Sequence, residues 1–183
     1  MKAGTATVLT NVVLFQIGWW SCVWSAGVHK PWIGVVVVSL VIGAHLCRAS
    51  MPKKELQLVL LALGFGLAFD SLLGAQGWVA YSSGIVVPNV APYWIVALWG
   101  LFATLLNVSL RWMRRRWITA ALLGALGGPA AYIGGLRLGA LQFTNMGAGL
   151  AALSLGWAVL TPLLLTLAER YDGQSGLSGA VAT

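Results

Sequence analysis

The sequence at residues 93–135 reads YWIVALWGLFATLLNVSL, then RWMRRR, then WITAALLGALGGPAAYIGG. Two long apolar runs are therefore separated by six residues that include four arginines. A helix that crosses a bilayer needs about 20 largely apolar residues, and lysine and arginine collect in the cytoplasmic loops between such helices. This stretch predicts two membrane-spanning helices joined by a short basic loop, and the rest of the chain repeats the pattern.

The composition of the whole chain agrees with this interpretation. Hydrophobic residues make up 59% and charged residues 8% of the 183 residues, whereas an average soluble domain is roughly 25% charged. The runs are too continuous for the alternating strands of a membrane barrel. We expect one all-α domain over residues 1–183, a polytopic bundle of transmembrane helices that leaves no room for a soluble catalytic module.

Six apolar runs are long enough to be interpreted as spans. The predicted spans are residues 8–26, 32–46, 56–73, 93–110, 117–135 and 146–168. Residues 74–92 contain Gly, Ser, Asn and two prolines and are predicted to be a loop. The first run is longer than the apolar core of a signal peptide and is followed at once by more spans, so we expect it to remain as the first helix.

The basic residues predict the orientation of the spans. With both termini in the cytoplasm, most lysines and arginines fall on the cytoplasmic side, as the positive-inside rule requires. That side holds Lys2, Arg48, Lys53, Lys54, Arg111, Arg114, Arg115, Arg116 and Arg170. The other side holds Lys30 and Arg137. Because the cations flank spans, we interpret the net charge of +7 as an attraction to anionic membrane lipids and not to nucleic acid.

One acidic residue lies inside a predicted span, where an ionisable group is costly unless it has a partner or faces a water-filled cavity. Asp70 lies in the outer half of the third run, roughly 20 Å from the cytoplasmic end. Arg137 follows the fifth run and should lie at a similar depth. We expect Asp70 and Arg137 to face each other or to share a polar pocket. The pair fits either a ligand-binding site or an ion pair that only locks two helices together.

A second polar group is predicted toward the cytoplasmic half of the spans. Asn11, His45 and Asn107 come to similar depths if their helices rise regularly, and Gln16 lies about one and a half turns above Asn11. A histidine here suits proton transfer or head-group contact, because it titrates near neutral pH, but it also fits a satisfied interfacial residue. The amides fit hydrogen bonds between helices equally well.

Several other residues are interpreted as structural. Cys22 and Cys47 have no histidines at metal-binding spacing, so the sequence predicts no metal site and no cofactor. Most of the ten tryptophans cluster toward the two membrane faces and are interpreted as interfacial belts, not as a ligand cage. Ala120, Gly124 and Gly128 recur every four residues and predict a small face for close helix packing.

Three ordered motifs resemble an uncharacterised family of small bacterial six-helix inner-membrane proteins. They are residues 11–19 (NVVLFQIGW), 94–110 (WIVALWGLFATLLNVSL) and 127–140 (GGPAAYIGGLRLGA). The resemblance covers residues 11–168 and implies a multi-pass protein of the bacterial inner membrane, without an established activity. It also implies a gene neighbourhood of cyclopropane-fatty-acid-synthase-like and flavin oxidoreductase-like proteins, and so a link to unusual lipids or envelope stress. Where family members often have a histidine, this chain has Val108.

Three functions are open to this sequence. The first is an accessory or transport protein for a lipid or other amphiphile, with Arg137 holding a carboxylate or phosphate head group. The second is an integral-membrane enzyme that modifies acyl lipids, with Asp70 or His45 in acid-base work, although the histidine cluster of a di-iron site is missing. The third is a structural subunit of a membrane complex, with a membrane protein or a second copy of the chain as its partner.

Overall fold

The computed structural model describes residues 4–174, which form six α-helices and one two-stranded sheet. The helices are α1 (Thr5–Gly27), α2 (Pro31–Arg48), α3 (Pro52–Ala75), α4 (Tyr93–Leu106), α5 (Trp117–Arg137) and α6 (Met146–Arg170). The strands are β1 (Val79–Tyr81) and β2 (Leu141–Phe143). In hydrocarbon no water is available to backbone N–H and C=O groups, so long apolar runs form helices, which satisfy these groups internally.

The prediction of a membrane-type helix bundle is confirmed. Five of the helices are long and apolar enough to cross a membrane, and all five include the whole of the predicted run. The fourth predicted span, residues 93–110, is too long, because α4 has 14 residues and ends at Leu106. The next residue, Asn107, donates its side-chain amide to Glu55 at 2.7 Å, and the chain turns there.

The helices run in alternate directions, so their ends meet at two opposite ends of the bundle. One end, which we call the arginine end, is formed by residues 45–55, 107–117 and 168–174. There Glu55 Oε2 lies 2.8 Å from His45 Nε2. This contact ties the end of α2 to the start of α3.

The other end, which we call the hairpin end, is formed by residues 26–31, 73–93 and 136–146. There β1 and β2 pair as antiparallel strands, with Ala80 opposite Gln142. The pairing joins the loop between α3 and α4 to the loop between α5 and α6. The two halves of the chain are therefore held together by backbone hydrogen bonds at this end.

The sequence predicts only a loop at residues 74–92, and the strand within it is missed. Three residues are too few to show the alternation that identifies a strand, and the partner strand lies far along the chain. Gly77 and Gly139, with φ of 67° and 74°, form the turns before the two strands. Glycine has no Cβ and adopts this left-handed conformation without strain.

The cations of the described residues are divided unequally between the two ends. The arginine end carries Arg48, Lys53, Lys54, Arg111, Arg114, Arg115, Arg116 and Arg170. The hairpin end carries Lys30 and Arg137. Lys2, which the sequence places with the larger group, lies outside the described residues. That the arginine end faces the cytoplasm stays a prediction from the positive-inside rule.

Helix α5 packs on α6 through the small face predicted from the sequence. Ala120, Gly124 and Gly128 are all buried. A Cβ at Gly124 would collide with the backbone carbonyl oxygen of Trp157, and a Cβ at Gly128 would collide with the Trp157 ring. The packing role predicted for these residues is therefore confirmed.

We expect Gly124→Ala to destabilise the protein by about 1–3 kcal/mol, the usual cost of overpacking, because the α6 backbone would have to move away. Gly127→Ala is the matched control, since a Cβ there would meet nothing within 4 Å. Thermal unfolding of the purified protein in detergent measures both effects. Equal losses in the two variants would contradict close packing at Gly124.

Candidate functional site

The carboxyl group of Asp70, on α3, is fully buried inside the bundle. Its Oδ1 accepts hydrogen bonds from the hydroxyl of Tyr81, at 2.7 Å, and from the hydroxyl of Tyr132. Its Oδ2 accepts from the indole N–H of Trp99 at 2.7 Å. These donors come from β1, α5 and α4, so four elements meet at one carboxyl group.

The partners of Asp70 fit the ionised carboxylate, because all three are donors and a carboxylate only accepts hydrogen bonds. Among residues 4–174 no ion pair brings a cation to it. Burial, and then the negative charge of Asp70, raise the pKa of the Tyr81 phenol well above its usual range, so this hydroxyl stays a donor. A charge that is costly inside a membrane is thus stabilised by neutral donors alone.

The predicted pairing of Asp70 with Arg137 is wrong. Arg137 is exposed at the hairpin end, whereas Tyr132 of the same helix reaches the carboxylate. The two side chains are five residues apart, which turns them about 140° from each other around α5, so they cannot both face Asp70. The polar pocket is built from tyrosine and tryptophan donors and not from an arginine.

A small cavity of about 220 Å³, which we call the vestibule, lies beside Asp70 at the hairpin end. Its wall includes Asp70, Ser71, Tyr81, Asn89 and Thr144. A cavity of this size with several polar partners has room for water. The vestibule therefore adjoins Asp70 at the hairpin end, while the carboxyl group itself stays fully buried.

A larger cavity of about 560 Å³, which we call the cleft, lies between α1, α4, α5 and α6. It is lined by Phe15, Gln16, Trp19, Trp20, Val23, Trp94, Ile95, Leu98, Trp99, Phe102, Leu105, Leu110, Met113, Leu123, Gly124, Gly127, Gly128, Ala131, Tyr132, Gly135, Leu141, Trp157 and Thr161. Within it the ring of Trp99 stacks on that of Trp157, with 4.5 Å between the centroids. The wall is mainly aromatic and aliphatic.

Two side chains separate the cleft from the Asp70 carboxylate and contact both. Trp99 and Tyr132 line the cleft and also donate hydrogen bonds to Asp70, which lies on the other side of them. Two further polar atoms of the wall, Trp157 Nε1 and Thr161 Oγ1, are buried and have no hydrogen-bond partner within residues 4–174. The wall therefore has few polar side chains: two of them bind Asp70, the polar atoms of two others are buried, and Gln16 supplies an amide.

The cleft opens sideways between two helices. Gln16 and Trp20 of α1 and Leu123 and Gly127 of α5 line the cleft and are also exposed at the surface of the bundle. Both helices are long and apolar enough to cross a membrane. The opening therefore lies on the side of the bundle that would contact lipid.

The interpretation of the tryptophans as interfacial belts is incomplete. Trp24 and Trp32 are exposed, as a belt requires. Trp19, Trp20 and Trp94 also line the cleft, and Trp94 is only 1% exposed. The spacing of these residues along the chain does not reveal which of them face a shared cavity, because that depends on how the helices are rotated in the bundle.

The second predicted polar group does not form one cluster. His45 and Asn107 do meet, but through Glu55, whose two carboxylate oxygens they contact at 2.8 and 2.7 Å. Asn11 donates instead to a backbone carbonyl of α4 at 3.1 Å. Gln16 lines the cleft. Similar depth in the membrane therefore brings together only two of the four residues.

Glu55, which is 1% exposed, also holds the residues that follow α6. The backbone N–H of Gly173 donates to Glu55 Oε1 at 2.8 Å. The carboxylate of Asp172 pairs with Arg111 at 2.6 Å and with Arg114 at 2.9 Å. We call these five residues the clasp, because they tie the arginine end together.

The clasp and Asp70 are separate sites. Asp70 lies fifteen residues after Glu55 on α3, and a helix rises about 22 Å over fifteen residues. His45, which is held at Glu55, is therefore too far from Asp70 for both to act on one substrate atom. The enzyme that the sequence leaves open would therefore use Asp70 or His45, and not both on one substrate.

Sequence reasoning identifies Asp70 but misses its partners. Tyr81, Trp99 and Tyr132 come from three other elements, and no local pattern marks them. Glu55 lies in a polar segment directly after two lysines, a position that does not itself indicate burial. One signal identifies it: Glu55 and Asp70 lie within about 60° on the buried face of α3.

The hydrogen bond from Tyr132 to Asp70 should appear as a coupling between mutations. We expect Asp70→Asn and Tyr132→Phe to be non-additive in the free energy of unfolding by about 0.5–3 kcal/mol, because the two groups are in contact. Asp70→Asn with Arg137→Gln is the matched control and should be additive. Denaturant unfolding in detergent measures both cycles, and coupling to Arg137 alone would contradict the arrangement.

The clasp should depend on Glu55. Glu55→Ala leaves the N–H of Gly173 without its acceptor and removes the shorter of the two hydrogen bonds that the Asn107 amide donates, at about 1–3 kcal/mol for an unsatisfied buried group. Glu169→Ala is the matched control, because among residues 4–174 Glu169 pairs only with the exposed side chain of Arg115, at 3.6 Å. Its free energy of unfolding should stay within about 0.5 kcal/mol of the wild-type value. Unfolding in detergent and the rate of proteolysis after α6 measure the difference. No change in either for Glu55→Ala would show that the clasp is not stabilising.

Comparison with known proteins places the chain in a family. No curated protein and no solved structure matches it. A family model described as "Protein of unknown function (DUF2878)" matches residues 8–163. The matched region includes Asp70, its three donors and every residue that lines the cleft. The chain therefore belongs to this family of proteins of unknown function, DUF2878.

Proposed function

We propose that this chain is a multi-pass protein of the bacterial inner membrane that binds a lipid or similar amphiphile in the cleft, as an accessory or transport protein for it. The observation that carries the proposal is the cleft itself, about 560 Å³ of mainly apolar space between four helices. Ligand sites are typically concave, roughly 300–1,000 Å³ in volume, and lined by hydrophobic and aromatic side chains with few polar groups. The cleft has these properties.

The position of the opening supports a ligand that comes from the bilayer. An amphiphile dissolved in the membrane would enter sideways between α1 and α5, past the exposed side chains of Trp20 and Leu123. It would bring its apolar chain into the cleft without passing through water. A water-soluble ligand would not meet an opening between two membrane-spanning helices.

The charges at the arginine end support the choice of membrane. Anionic lipids of the cytoplasmic leaflet attract basic residues next to spans. Arg111, Arg114, Arg115 and Arg116 lie together at that end. The arginine end would therefore face the cytoplasmic leaflet of the bacterial inner membrane.

Asp70 supports the cleft by holding two of its wall residues in place. The side chains of Trp99 and Tyr132 each direct a polar atom at the carboxylate, which leaves the rings in the wall. Rings that are fixed in this way need no reordering when a ligand enters, and such preorganisation favours binding.

Filling the cleft should remove bound lipid. Gly127 lines the cleft and a Cβ there would meet nothing within 4 Å, so Gly127→Leu adds a side chain at the cleft with no collision at its Cβ. Gly64→Leu on α3 is the matched control, because a Cβ there is equally free and lies outside the cleft. We expect native mass spectrometry of the gently solubilised protein to show a lipid adduct in wild type and Gly64→Leu. In Gly127→Leu the adduct should fall at least about tenfold, as for a loss of one decade in affinity.

Equal lipid retention in the two leucine variants would contradict the cleft as the binding site. If wild type and both variants carry no lipid and are equally stable, the better proposal is a structural subunit, with a membrane protein or a second copy of the chain as its partner.

A further inference from the structure

The three donors that hold Asp70 belong to the walls of two different cavities. Tyr81 lines the vestibule, whereas Trp99 and Tyr132 line the cleft. Each of them donates a hydrogen bond to the Asp70 carboxylate. One buried charge is therefore linked by single hydrogen bonds to a cavity at the hairpin end and to the wall of the cleft.

The Asp70 carboxylate lacks a countercharge, and a proton can supply one. Among residues 4–174 no ion pair reaches it, and no group of three acidic, histidine or cysteine side chains is placed to hold a metal ion. Ionisable groups inside a membrane are costly and commonly mark proton relays. The three hydrogen bonds offset part of that cost, and one bound proton would remove the charge itself.

Tyr81 supplies the path by which a proton reaches Asp70. The carboxyl group is fully buried, but Tyr81, which donates to Oδ1 at 2.7 Å, is only partly buried and lines the vestibule. The vestibule reaches the surface, because Asn89 and Thr144 of its wall are exposed, and it has room for water.

The transfer along this path is a relay of one proton. The Tyr81 O–H bond breaks and an O–H bond forms on Asp70, while the Tyr81 oxygen takes a proton from a hydronium ion in the vestibule, which becomes water. Tyr81 ends unchanged, and the carboxyl group ends neutral.

Protonation of Asp70 weakens the contacts that fix the cleft wall. A protonated carboxyl group is itself a donor, whereas an indole N–H can only donate. Hydrogen bonds to an ionised acceptor are roughly twice as strong as those between neutral groups. Trp99 and Tyr132 therefore lose part of their restraint, whichever carboxyl oxygen takes the proton.

We propose, on the basis of the proposed function, that Asp70 is a proton-binding site and that its protonation from the vestibule releases the ligand held in the cleft. The ionised carboxylate fixes Trp99 and Tyr132 and favours binding, and the neutral carboxyl group favours release. Because coupling between two sites is reciprocal, a ligand in the cleft favours the ionised form in turn. The protein exchanges a proton taken up at the hairpin end for an amphiphile in the cleft.

Among residues 4–174, two phenols are the titratable groups hydrogen-bonded to Asp70: Tyr81 of β1 and Tyr132 of α5. Burial, and then the charge of Asp70, raise the pKa of the Tyr81 phenol well above its usual range, so Tyr81 keeps its proton near neutral pH. Tyr93 of α4 and Arg137 of α5 are exposed. The other ionisable side chains of α2, α3 and α6 lie at the arginine end: His45, Cys47, Arg48, Lys53, Lys54, Glu55, Glu169 and Arg170.

Infrared difference spectroscopy detects the proton directly, with the full-length protein in dodecyl maltoside, a detergent without a carbonyl group. The chain has only four acidic side chains, and a protonated carboxyl group shows a C=O stretch that shifts in deuterated water. Acidification from about pH 8 to about pH 4, the ordinary pKa of an aspartate, should produce a band that is lost in Asp70→Asn and kept in Glu169→Gln. If Asp70→Asn does not fold, persistence of the band in Glu55→Gln, Glu169→Gln and Asp172→Asn assigns it. A wild-type protein without such a band overturns the proton site.

Two phenylalanine variants test the path of the proton. Tyr81→Phe and Tyr132→Phe each remove one hydroxyl from the same carboxylate oxygen, but only Tyr81 lines the vestibule. Deuterium exchange of the Asp70 O–H at acidic pH should be at least about tenfold slower in Tyr81→Phe, a modest part of what a positioned proton-transfer group contributes. Exchange in Tyr132→Phe should be as fast as in wild type. Equal rates in the two variants overturn the path.

Capture of a photoreactive long-chain alcohol, which has no ionisable group, measures the coupling in phosphatidylcholine nanodiscs. Capture by wild type and by Glu169→Gln should fall about tenfold on acidification, within the usual range of coupling between two sites. Asp70→Asn should capture the probe weakly at both pH values. Thermal unfolding at each pH shows that the protein stays folded.

Gly127→Leu separates this inference from the proposed function. Equal wild-type capture at the two pH values, with capture lost in Gly127→Leu, overturns the coupling and leaves the cleft as the lipid site. Capture that is absent from wild type, or unchanged in Gly127→Leu, contradicts the proposed function and with it the coupling. The Asp70 band does not require a ligand, so it decides the proton site in either case.

Discussion

An ionised carboxylate inside a membrane-spanning helix is the constraint on which the hairpin half of the bundle depends. In hydrocarbon Asp70 has no water to stabilise its charge, and Tyr81, Trp99 and Tyr132 donate the hydrogen bonds that water would otherwise supply. Each donor comes from a different element, so satisfying one charge fixes α3, β1, α4 and α5 relative to one another. The pairing of β1 with β2 contributes because it holds Tyr81 in the loop that crosses the end of α3.

The cleft follows from the same packing. Helix α5 is drawn against α6 by its small face at Gly124 and Gly128, and α1 packs chiefly on α2, where Gly34 lies against the backbone of Cys22. Helices α1 and α5 therefore touch each other little, and the space between them stays open. Trp99 forms the part of the cleft wall that separates it from Asp70, with its N–H directed at Asp70 and its ring stacked on Trp157. One tryptophan thus serves both the buried charge and the cavity wall.

The arginine end is held together by a different set of contacts. There the single carboxylate of Asp172 pairs with both Arg111 and Arg114. Glu55 is buried among donors from α2, from the residue after α4 and from the segment after α6. These contacts close the bundle at the end where the cations concentrate. The hairpin end carries fewer charged residues and contains the vestibule. The two ends of the molecule therefore differ in charge and in the cavity that lies beside them.

The sequence by itself determined the class of the protein, five of its six helices and the unequal division of cations between the two ends of the bundle, because apolar run length and the placement of lysine and arginine are local properties. It also identified Asp70, since a single acidic residue in an apolar run is visible without any structure. Only the tertiary structure decided that Asp70 is held by Tyr81, Trp99 and Tyr132, and that Arg137 is exposed. The reason is geometric: depth along a helix follows from residue number, whereas the direction a side chain faces depends on how each helix is rotated against its neighbours.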